Sequence, residues 1–208
     1  MAGRRTISKL VEKRLRVLVD MDQTIADFEG YFLTMYKKKF PDEPFINMED
    51  RRTFYLADQY EKLKEGLKIK VKSIYESEGF FRDLPPLPGA CEAIKTMDAM
   101  EKVDVFLCTS PLFKYKYSAK EKYEWVENHL GPDFIDKVIL TRDKTMINGH
   151  LLIDDRPDIK GACAQPTWEH ILMTACHNKH MKRLTQNRLD NWTDNSWQLL
   201  IEDHLKRI

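Results

Sequence analysis

Short apolar runs rich in β-branched residues alternate with helical stretches along most of this chain. The runs are RVLVD (16–20), VDVFLCTS (103–110), KVIL (137–140), GHLLIDD (149–155) and EHILMTA (169–175). Between them, GACEAIKTMDAM and AKEKYEWVENHL repeat apolar residues at intervals of three and four, as amphipathic helices do. Strand alternating with helix favours a parallel sheet with helices on both faces, so the predicted fold class is α/β of the Rossmann type.

Three of the predicted strands end in polar residues that can bind or react. They are Asp20 and Asp22 after the first strand, Thr109 and Ser110 after the second, and Asp154 and Asp155 after the fourth. Ligands of such sheets bind outside the carboxyl ends of the strands, so we expect these groups to converge. The alternative, that the acids are only helix N-caps and solvated loop residues, is the commoner fate of aspartate.

Two carboxylate pairs at one edge of a sheet would repel each other unless a cation lay between them. Hard oxygen ligands in a half-open site suit Mg²⁺, so the acids predict a magnesium site. A metal with a carboxylate nucleophile can attack phosphorus if donors neutralise the phosphate. Thr109 and Ser110 offer hydroxyls and backbone amides for this, and Lys144 in TRDKT offers a compact positive charge, although alone it would be an ordinary surface lysine.

The segment 30–88 interrupts the alternation. It is mostly helical in periodicity and contains many aromatic residues, namely Phe45, Phe54, Tyr55, Tyr60, Tyr75, Phe80 and Phe81. A connection of this length is rarely structureless, so we predict a small helical cap over 30–88, inserted into a catalytic core formed by 1–29 and 89–208. LPPLPG (84–89) is the expected return hinge.

Composition excludes several function classes. The 208 residues are 42% hydrophobic with a formal net charge of +1, so no global field attracts nucleic acid or a membrane, and neither is expected as a partner. No apolar stretch approaches a bilayer span, and the basic N-terminal segment lacks the apolar centre of a secretory signal. Glu12 interrupts that segment, which disfavours a mitochondrial presequence, so we expect a cytoplasmic protein, with mitochondria as the alternative.

The four cysteines are widely spaced without a CxxC pair, and we expect them to be reduced. The cluster CHNKH contains Cys176, His177 and His180, but a single cluster of this kind is usually a polar surface turn rather than a metal site.

Taken in order, DxDxT, a later Ser/Thr, a lysine and DD resemble the motifs of the haloacid dehalogenase-like phosphatase superfamily. The segments DMDQTIADFE, CTSPLFKY, EKYEWVE, LTRDKT, LLIDDRPDI and WEHILMTACHN are further similar to the 5′(3′)-deoxyribonucleotidases, from about Arg16 to Trp197. The resemblance implies a haloacid dehalogenase-like fold, removal of phosphate from deoxyribonucleoside monophosphates such as dUMP and dTMP, Mg²⁺ as cofactor and a homodimer.

The resemblance also implies roles for individual residues. Asp20 would be the nucleophile that forms an aspartyl-phosphate, and Asp22 the acid and base. Mg²⁺ would be held by the Asp20 carboxylate, the Asp22 main-chain carbonyl and Asp155, with Asp154 in support. Phosphate would be bound by Thr109, Ser110 and Lys144, and the nucleoside by Phe28, Phe54, Tyr55, Leu56 and Tyr75. For Tyr60 and Phe80 we expect ordinary core packing.

The sequence departs from the family pattern at Gln23, where a glycine is usual, and its subtype signals are mixed, since Tyr75 resembles the cytosolic member and IDDRPDI the mitochondrial one. Two alternatives stay open at this point. The substrate could be another small phosphomonoester, or the protein could be a catalytically silent nucleotide-binding or scaffold protein. Loss of the nucleophile or of the acid/base would mark the second, and both aspartates are present.

Overall fold

The computed structural model describes residues 13–181 and 187–208. Six parallel strands form one sheet in the order β3-β2-β1-β4-β5-β6. The strands are β1 (Leu15–Val19), β2 (Val103–Thr109), β3 (Val138–Leu140), β4 (Leu151–Asp154), β5 (Glu169–Met173) and β6 (Asn187–Leu189). The helices are α1 (Phe28–Lys39), α2 (Leu56–Leu63), α3 (Leu67–Tyr75), α4 (Ala90–Asp98), α5 (Ser118–Leu130) and α6 (Ser196–Leu205). The predicted α/β fold is confirmed.

Strand β1 is buried on both faces at the centre of the sheet. Val17 and Val19 belong to the large hydrophobic core, whereas Leu18 belongs to a smaller cluster on the opposite face with Cys108 and Leu152. Alternate side chains of a strand point to opposite faces, so a strand covered on both sides reads as a continuous apolar run. This burial explains the apolar residues of LRVLV, and the buried strand holds the loop that begins at Asp20 in a fixed position.

Three helices, α1 to α3, lie between β1 and the return to the sheet. The two linkers of this segment pair with each other, because the amide of Asp27 donates to the carbonyl of Pro85 (2.7 Å) and that of Leu87 to the carbonyl of Ile25 (2.8 Å). The segment therefore leaves and rejoins the sheet at one place, next to the loop that follows β1.

The helical segment has its own apolar interior. Phe32, Tyr36 and Tyr60 pack ring against ring with centroids 5.0–5.6 Å apart, and all three are buried. The Tyr60 hydroxyl accepts a hydrogen bond from the amide of Ile46 (3.2 Å). Tyr60 and Phe80, at 0% and 3% exposure, are core residues as predicted.

The loop after β1 is also held by the far end of the chain. Trp192 is buried and donates from its indole Nε1 to the carbonyl oxygen of Thr24 (2.7 Å). Its own carbonyl oxygen lies so close to Gly89 that a Cβ there would approach within 2.9 Å, and Gly89 has a φ of 76°. Glycine is therefore required where helix α4 begins.

Within the described residues, no helix is both long and apolar enough to span a bilayer. The basic N-terminal segment up to residue 12, on which the predicted compartment depends, lies outside the described residues. All four cysteines are free thiols, as expected.

Candidate active site

The polar strand ends meet at one edge of the sheet. Because β1 lies between β2 and β4, the residues that end these strands are brought side by side. The carboxylates of Asp20, Asp154 and Asp155 offer oxygen atoms that all lie within 4.8 Å of one another, and the three residues are buried. The predicted convergence of the acids is thus present in the fold.

Electrostatics in this cluster oppose full ionisation. Burial raises the pKa of Asp155 well above its usual value, and the neighbouring charges of Asp154 and Asp20 raise it further. Burial likewise raises the pKa of Asp154, against the lowering effect of Lys144. Three carboxylates at such distances carry more negative charge than one lysine offsets. The donor set therefore fits a hard divalent cation, which prefers carboxylate oxygens.

Lys144 is the cation that the chain itself supplies to the cluster. It lies in a 3₁₀ turn, Lys144–Met146, that is capped by the Asp143 side chain. Its Nζ is 2.7 Å from Asp20 Oδ1 and 2.5 Å from Asp154 Oδ2. Although burial opposes the charge, the two carboxylates raise the pKa of Lys144, so the side chain is an ammonium at neutral pH. A phosphate that reaches Asp20 therefore meets this charge.

Asp22 lies three residues past the end of β1, with a side chain 28% exposed. Its Oδ1 accepts a hydrogen bond of 2.6 Å from Lys122, a buried lysine of helix α5 that also donates to Thr109 Oγ1 (3.0 Å). Burial raises the pKa of Asp22; the charge of Lys122 lowers it in part, and Asp20 raises it.

A cavity of about 490 Å³ opens over these acids. Eleven of the twelve predicted site residues line it, namely Asp20, Asp22, Phe28, Phe54, Tyr55, Leu56, Tyr75, Ser110, Lys144, Asp154 and Asp155. Thr109, the twelfth, is fully buried at the end of β2 next to Ser110, with its hydroxyl against Lys122. The lining thus combines carboxylates and a lysine with aromatic rings, a composition that suits a ligand with an anionic part and a flat apolar part.

Two aromatic pairs shape the apolar part of the wall. Phe28 and Tyr75 pack with ring centroids 5.9 Å apart, and Phe54 meets Tyr55 edge to face at 5.4 Å. Arg156, directly after the Asp154–Asp155 pair, places its guanidinium carbon 5.1 Å from the Phe54 ring centroid and donates to the Tyr55 hydroxyl (3.1 Å). The loop that bears the acids and the loop that bears the aromatic rings are therefore in contact.

A buried polar network joins the same two loops from the inside. Arg51, 1% exposed, donates two hydrogen bonds to the Glu29 carboxylate, at 2.7 and 2.9 Å. His177 Nδ1 lies 3.6 Å from Glu29 Oε1, and its Nε2 lies 3.1 Å from the carbonyl oxygen of Asp155. Asn178 Nδ2 donates to that same oxygen (2.7 Å), so the backbone of Asp155 is held at a fixed position.

Glu29, Cys176 and His177 form a second group of close ligand atoms, within 4.8 Å of one another. The guanidinium of Arg51 already binds this carboxylate, and burial raises the pKa of the Cys176 thiol to about 12, which disfavours the thiolate that a metal needs. His180 is exposed. The cluster CHNKH is thus a support for Asp155 rather than a good metal site.

Sequence reasoning did not find Lys122, Glu29, Arg51 or Arg156. One sequence pattern could have indicated Lys122. It precedes Trp125 and Val126 by three and four residues, so it falls on the apolar face of its helix, where a charged residue is unusual. Arg51 carried no such signal, because it lies in an irregular segment between short helices.

The family model described as "5' nucleotidase, deoxy (Pyrimidine), cytosolic type C protein" matches residues 13–205. The chain is 52% identical to the mitochondrial 5′(3′)-deoxyribonucleotidase of Homo sapiens over 191 residues, which cover 91% of this chain and 83% of that protein. It is 48% identical to the human cytosolic type over 191 residues, which cover 91% of this chain and 94% of that protein.

Solved structures with a similar fold are haloacid dehalogenase-type hydrolases. The HAD-hydrolase YfnB from Bacillus subtilis, described with magnesium bound, aligns with a TM-score of 0.56 at 15% identity over 95% of this chain and 100% of that one. A haloacid dehalogenase-like hydrolase from Streptococcus pneumoniae aligns with a TM-score of 0.58 at 8% identity over 92% and 98%. The fold is therefore of the haloacid dehalogenase-like type, and by its sequence the chain belongs to the 5′(3′)-deoxyribonucleotidase family.

Proposed function

We propose that this protein is a Mg²⁺-dependent 5′(3′)-deoxyribonucleotidase that hydrolyses deoxyribonucleoside monophosphates, such as dUMP and dTMP, through an aspartyl-phosphate. One observation carries the proposal: a single cavity of about 490 Å³ is bounded by Asp20, Asp22 and Lys144 and also by the rings of Phe28 and Tyr75. Such a cavity matches a molecule with a phosphate and a nucleobase. Family membership supports the same substrates, since the relatives are named for them.

Asp20 is the proposed nucleophile because it opens the motif and faces Lys144 at 2.7 Å. One of its carboxylate oxygens forms a bond to phosphorus while the bond from phosphorus to the sugar oxygen breaks, and the leaving oxygen keeps that electron pair. Lys144 balances charge on the phosphate oxygens during this transfer, together with the hydroxyls of Ser110 and Thr109.

Asp22 is the proposed acid and base. It gives a proton to the leaving sugar oxygen, and in the second half-reaction it takes a proton from the water that attacks phosphorus and releases Asp20. The raised pKa of Asp22, which has burial as its main cause, supports the protonated form that the first step requires.

The acid cluster supports the metal. Asp20, Asp155 and the main-chain carbonyl of Asp22 would hold Mg²⁺, with Asp154 in support, and the bound ion would supply positive charge beside the phosphate. His177 and Asn178 would fix Asp155 through its backbone carbonyl, as groups behind metal ligands commonly do.

We propose that the segment 30–88 is the cap that reads the nucleoside. Four residues of this segment line the cavity, namely Phe54, Tyr55, Leu56 and Tyr75. Phe28, which also lines it, lies two residues before the segment. Rings of this kind stack on a base, and an apolar wall disfavours a ribose 2′-hydroxyl by roughly 1 to 3 kcal/mol when that hydroxyl loses its partner. The homodimer stays a prediction. The cytoplasmic location also stays a prediction, since the named relatives include both cytosolic and mitochondrial proteins.

The test is phosphate release from matched ribo- and deoxyribonucleoside 5′- and 3′-monophosphates, with Mg²⁺ or with EDTA. We expect deoxyribonucleotides to be preferred, EDTA to abolish release and Mg²⁺ to restore it. Asp155→Ala should demand at least about tenfold more Mg²⁺ for half-maximal rate, because a ligand is lost. Release that ignores chelation, or that is confined to phosphomonoesters without a nucleoside, would contradict the proposal.

A further inference from the structure

Lys122 is a buried cation that the motifs of the family do not account for. Its side chain is 1% exposed, on the inward face of helix α5. Both of its polar partners belong to the active site: Asp22 Oδ1 at 2.6 Å and Thr109 Oγ1 at 3.0 Å. The residues Lys122 and Asp22 are 100 positions apart in the chain.

Packing alone does not require a lysine here. Taking an ammonium out of water is unfavourable, and an apolar side chain of similar length would pack against the ring of Phe81, whose centroid is 4.9 Å from Nζ, without that cost. The adjacent Glu121 makes the structural connection, since its carboxylate accepts hydrogen bonds from the amides of Gly79 (2.6 Å) and Phe81 (3.1 Å). The charge of Lys122 therefore serves its two partners.

The hydrogen bonds leave one reactive atom free on each partner. Lys122 occupies Asp22 Oδ1, whereas Oδ2 has no hydrogen-bond partner within residues 13–181 and 187–208, and Asp22 lines the cavity. Thr109 Oγ1 accepts from the ammonium, so its own hydroxyl proton is available for an acceptor such as a phosphate oxygen.

We propose that Lys122 is a positioning residue that fixes the rotamer of Asp22, so that Oδ2 faces the leaving oxygen, and that orients the Thr109 hydroxyl towards the phosphate. The inference rests on the proposed function and deepens it. Lys122 does not touch the substrate; it acts through Asp22 for proton transfer and through Thr109 for phosphate binding.

The two roles predict different dependence on the leaving group. A sugar oxygen must receive a proton as its bond to phosphorus breaks, whereas 4-nitrophenolate leaves as a stable anion and needs none. Loss of Asp22 orientation therefore harms transfer from dUMP but spares transfer from 4-nitrophenyl phosphate. Loss of Thr109 orientation lowers kcat/KM on both substrates by the same factor, because both carry the phosphate. The ratio of kcat/KM on the two substrates isolates the effect on Asp22.

The main experiment compares Lys122→Met with wild type on both substrates. We expect the ratio of kcat/KM on dUMP to that on 4-nitrophenyl phosphate to fall about 10²-fold, in the range of general acid catalysis. Since the aspartyl-phosphate also needs Asp22 for its hydrolysis, the variant should show a burst of 4-nitrophenol before slow turnover. Lys120→Met is the matched control, because Lys120 lies on the same helix and pairs with Glu124 on the surface.

Two further variants separate positioning from a merely structural role. Lys122→Arg keeps the positive charge and should retain more of the substrate ratio than Lys122→Met does. If Lys122 acts through Asp22, then adding Lys122→Met to Asp22→Asn should lower the ratio of kcat/KM on the two substrates little further, because proton transfer by Asp22 is already lost. Thermal unfolding of each variant, with and without Mg²⁺, identifies any that do not fold, and the Arg variant then carries the comparison.

The outcomes are distinct. An active wild type whose Lys122→Met and Lys122→Arg variants both keep the wild-type substrate ratio overturns the positioning role and leaves the proposed function standing. A further loss of the substrate ratio in the Asp22→Asn background, as large as in the wild-type background, overturns it as well. A wild type that releases no phosphate from any deoxyribonucleotide overturns the proposed function, and this inference with it.

Discussion

Arg51 and Glu29 form a two-point ion pair that is closed to solvent, with nitrogen–oxygen distances of 2.7 and 2.9 Å. Glu29 lies in the first turn of helix α1, and Arg51 lies 22 positions later in the proposed cap. The backbone amide of Glu29 also donates a hydrogen bond to Gln23 Oε1 (2.8 Å), and Gln23 directly follows Asp22 in the chain. The pair thus ties the proposed cap to the loop that carries Asp20 and Asp22.

Removing one partner of this pair should be costly. Arg51→Met leaves the Glu29 carboxylate buried without its main donor, and such changes typically destabilise by about 3–5 kcal/mol. Urea unfolding measures the loss as a lower midpoint. Arg14→Met is the control, because Arg14 pairs with Asp104 on the surface at 2.8 Å, and its midpoint should stay close to wild type. Equal shifts in the two variants would contradict a special role for the buried pair.

The same pair predicts a pH dependence of stability. Burial disfavours the charge of Glu29, but the nearby His177 ring and the two hydrogen bonds from Arg51 hold its pKa below the usual range. A group whose pKa is lower in the folded state stabilises the fold fully above its unfolded pKa of about 4.3, and this stabilisation is lost as pH falls through the folded pKa. Wild type should exceed Glu29→Gln in unfolding free energy at pH 7, and the gap should narrow below about pH 4. A gap that is constant from pH 7 to pH 3 would exclude this linkage.

Asp20→Asn should abolish turnover while the fold survives. A carboxamide keeps the shape of the side chain but does not attack phosphorus, so the rate should drop by at least about 10⁴-fold, as for other lost nucleophiles. Folding should tolerate the change, because one negative charge leaves a cluster in which Asp154 and Asp155 already have raised pKa values. Phosphate release and thermal melting are measured on the same sample, and Mg²⁺-dependent hydrolysis near the wild-type rate would refute the nucleophile.

Tyr75→Ala tests whether the cap selects the substrate. Loss of one stacking contact of roughly 1 to 3 kcal/mol should lower kcat/KM for dUMP or dTMP by about tenfold or more. 4-Nitrophenyl phosphate lacks base and sugar and should be affected much less. Tyr75 also packs on Phe28 and Phe80, so a purely structural role predicts lower thermal stability with equal proportional losses on both substrates.

Gln23 has a strained backbone conformation and a side chain that forms a hydrogen bond. Two substitutions separate the contributions of these two features to stability. Its φ is 56°, a left-handed conformation that costs an L-residue about 1 kcal/mol, and its Oε1 satisfies the amide of Glu29. Gln23→Ala loses the hydrogen bond and keeps the strain; Gln23→Gly loses both. The glycine variant should be the more stable of the two by about 1 kcal/mol in urea unfolding, with both below wild type. A glycine variant more stable than wild type would mean that the hydrogen bond contributes little.

The sequence allowed prediction of those features that depend on a local pattern of residues. Strands β1 and β4 carry the apolar runs VLV and LLI directly before aspartates, so their ends could be located and their convergence inferred. Strand β6 is only NRL, too short and too polar for any pattern, and it was missed. Lys122 and Arg51 were missed because their meaning depends on partners far along the chain, Asp22 and Glu29, which no periodicity reveals.

The contact between Trp192 and Thr24 has a consequence for the timing of synthesis. The two residues are 168 positions apart, and the indole donates to the backbone of the loop that carries Asp20 and Asp22. A nascent chain can form β1 and the helices that follow it, but this loop lacks its last hydrogen bond until residue 192 has been synthesised and has folded back, a non-local step that is intrinsically slow. The final form of the loop that carries Asp20 and Asp22 is therefore delayed until residue 192 has been translated, and truncation before Trp192 should leave a sheet whose β1 loop lacks its native shape.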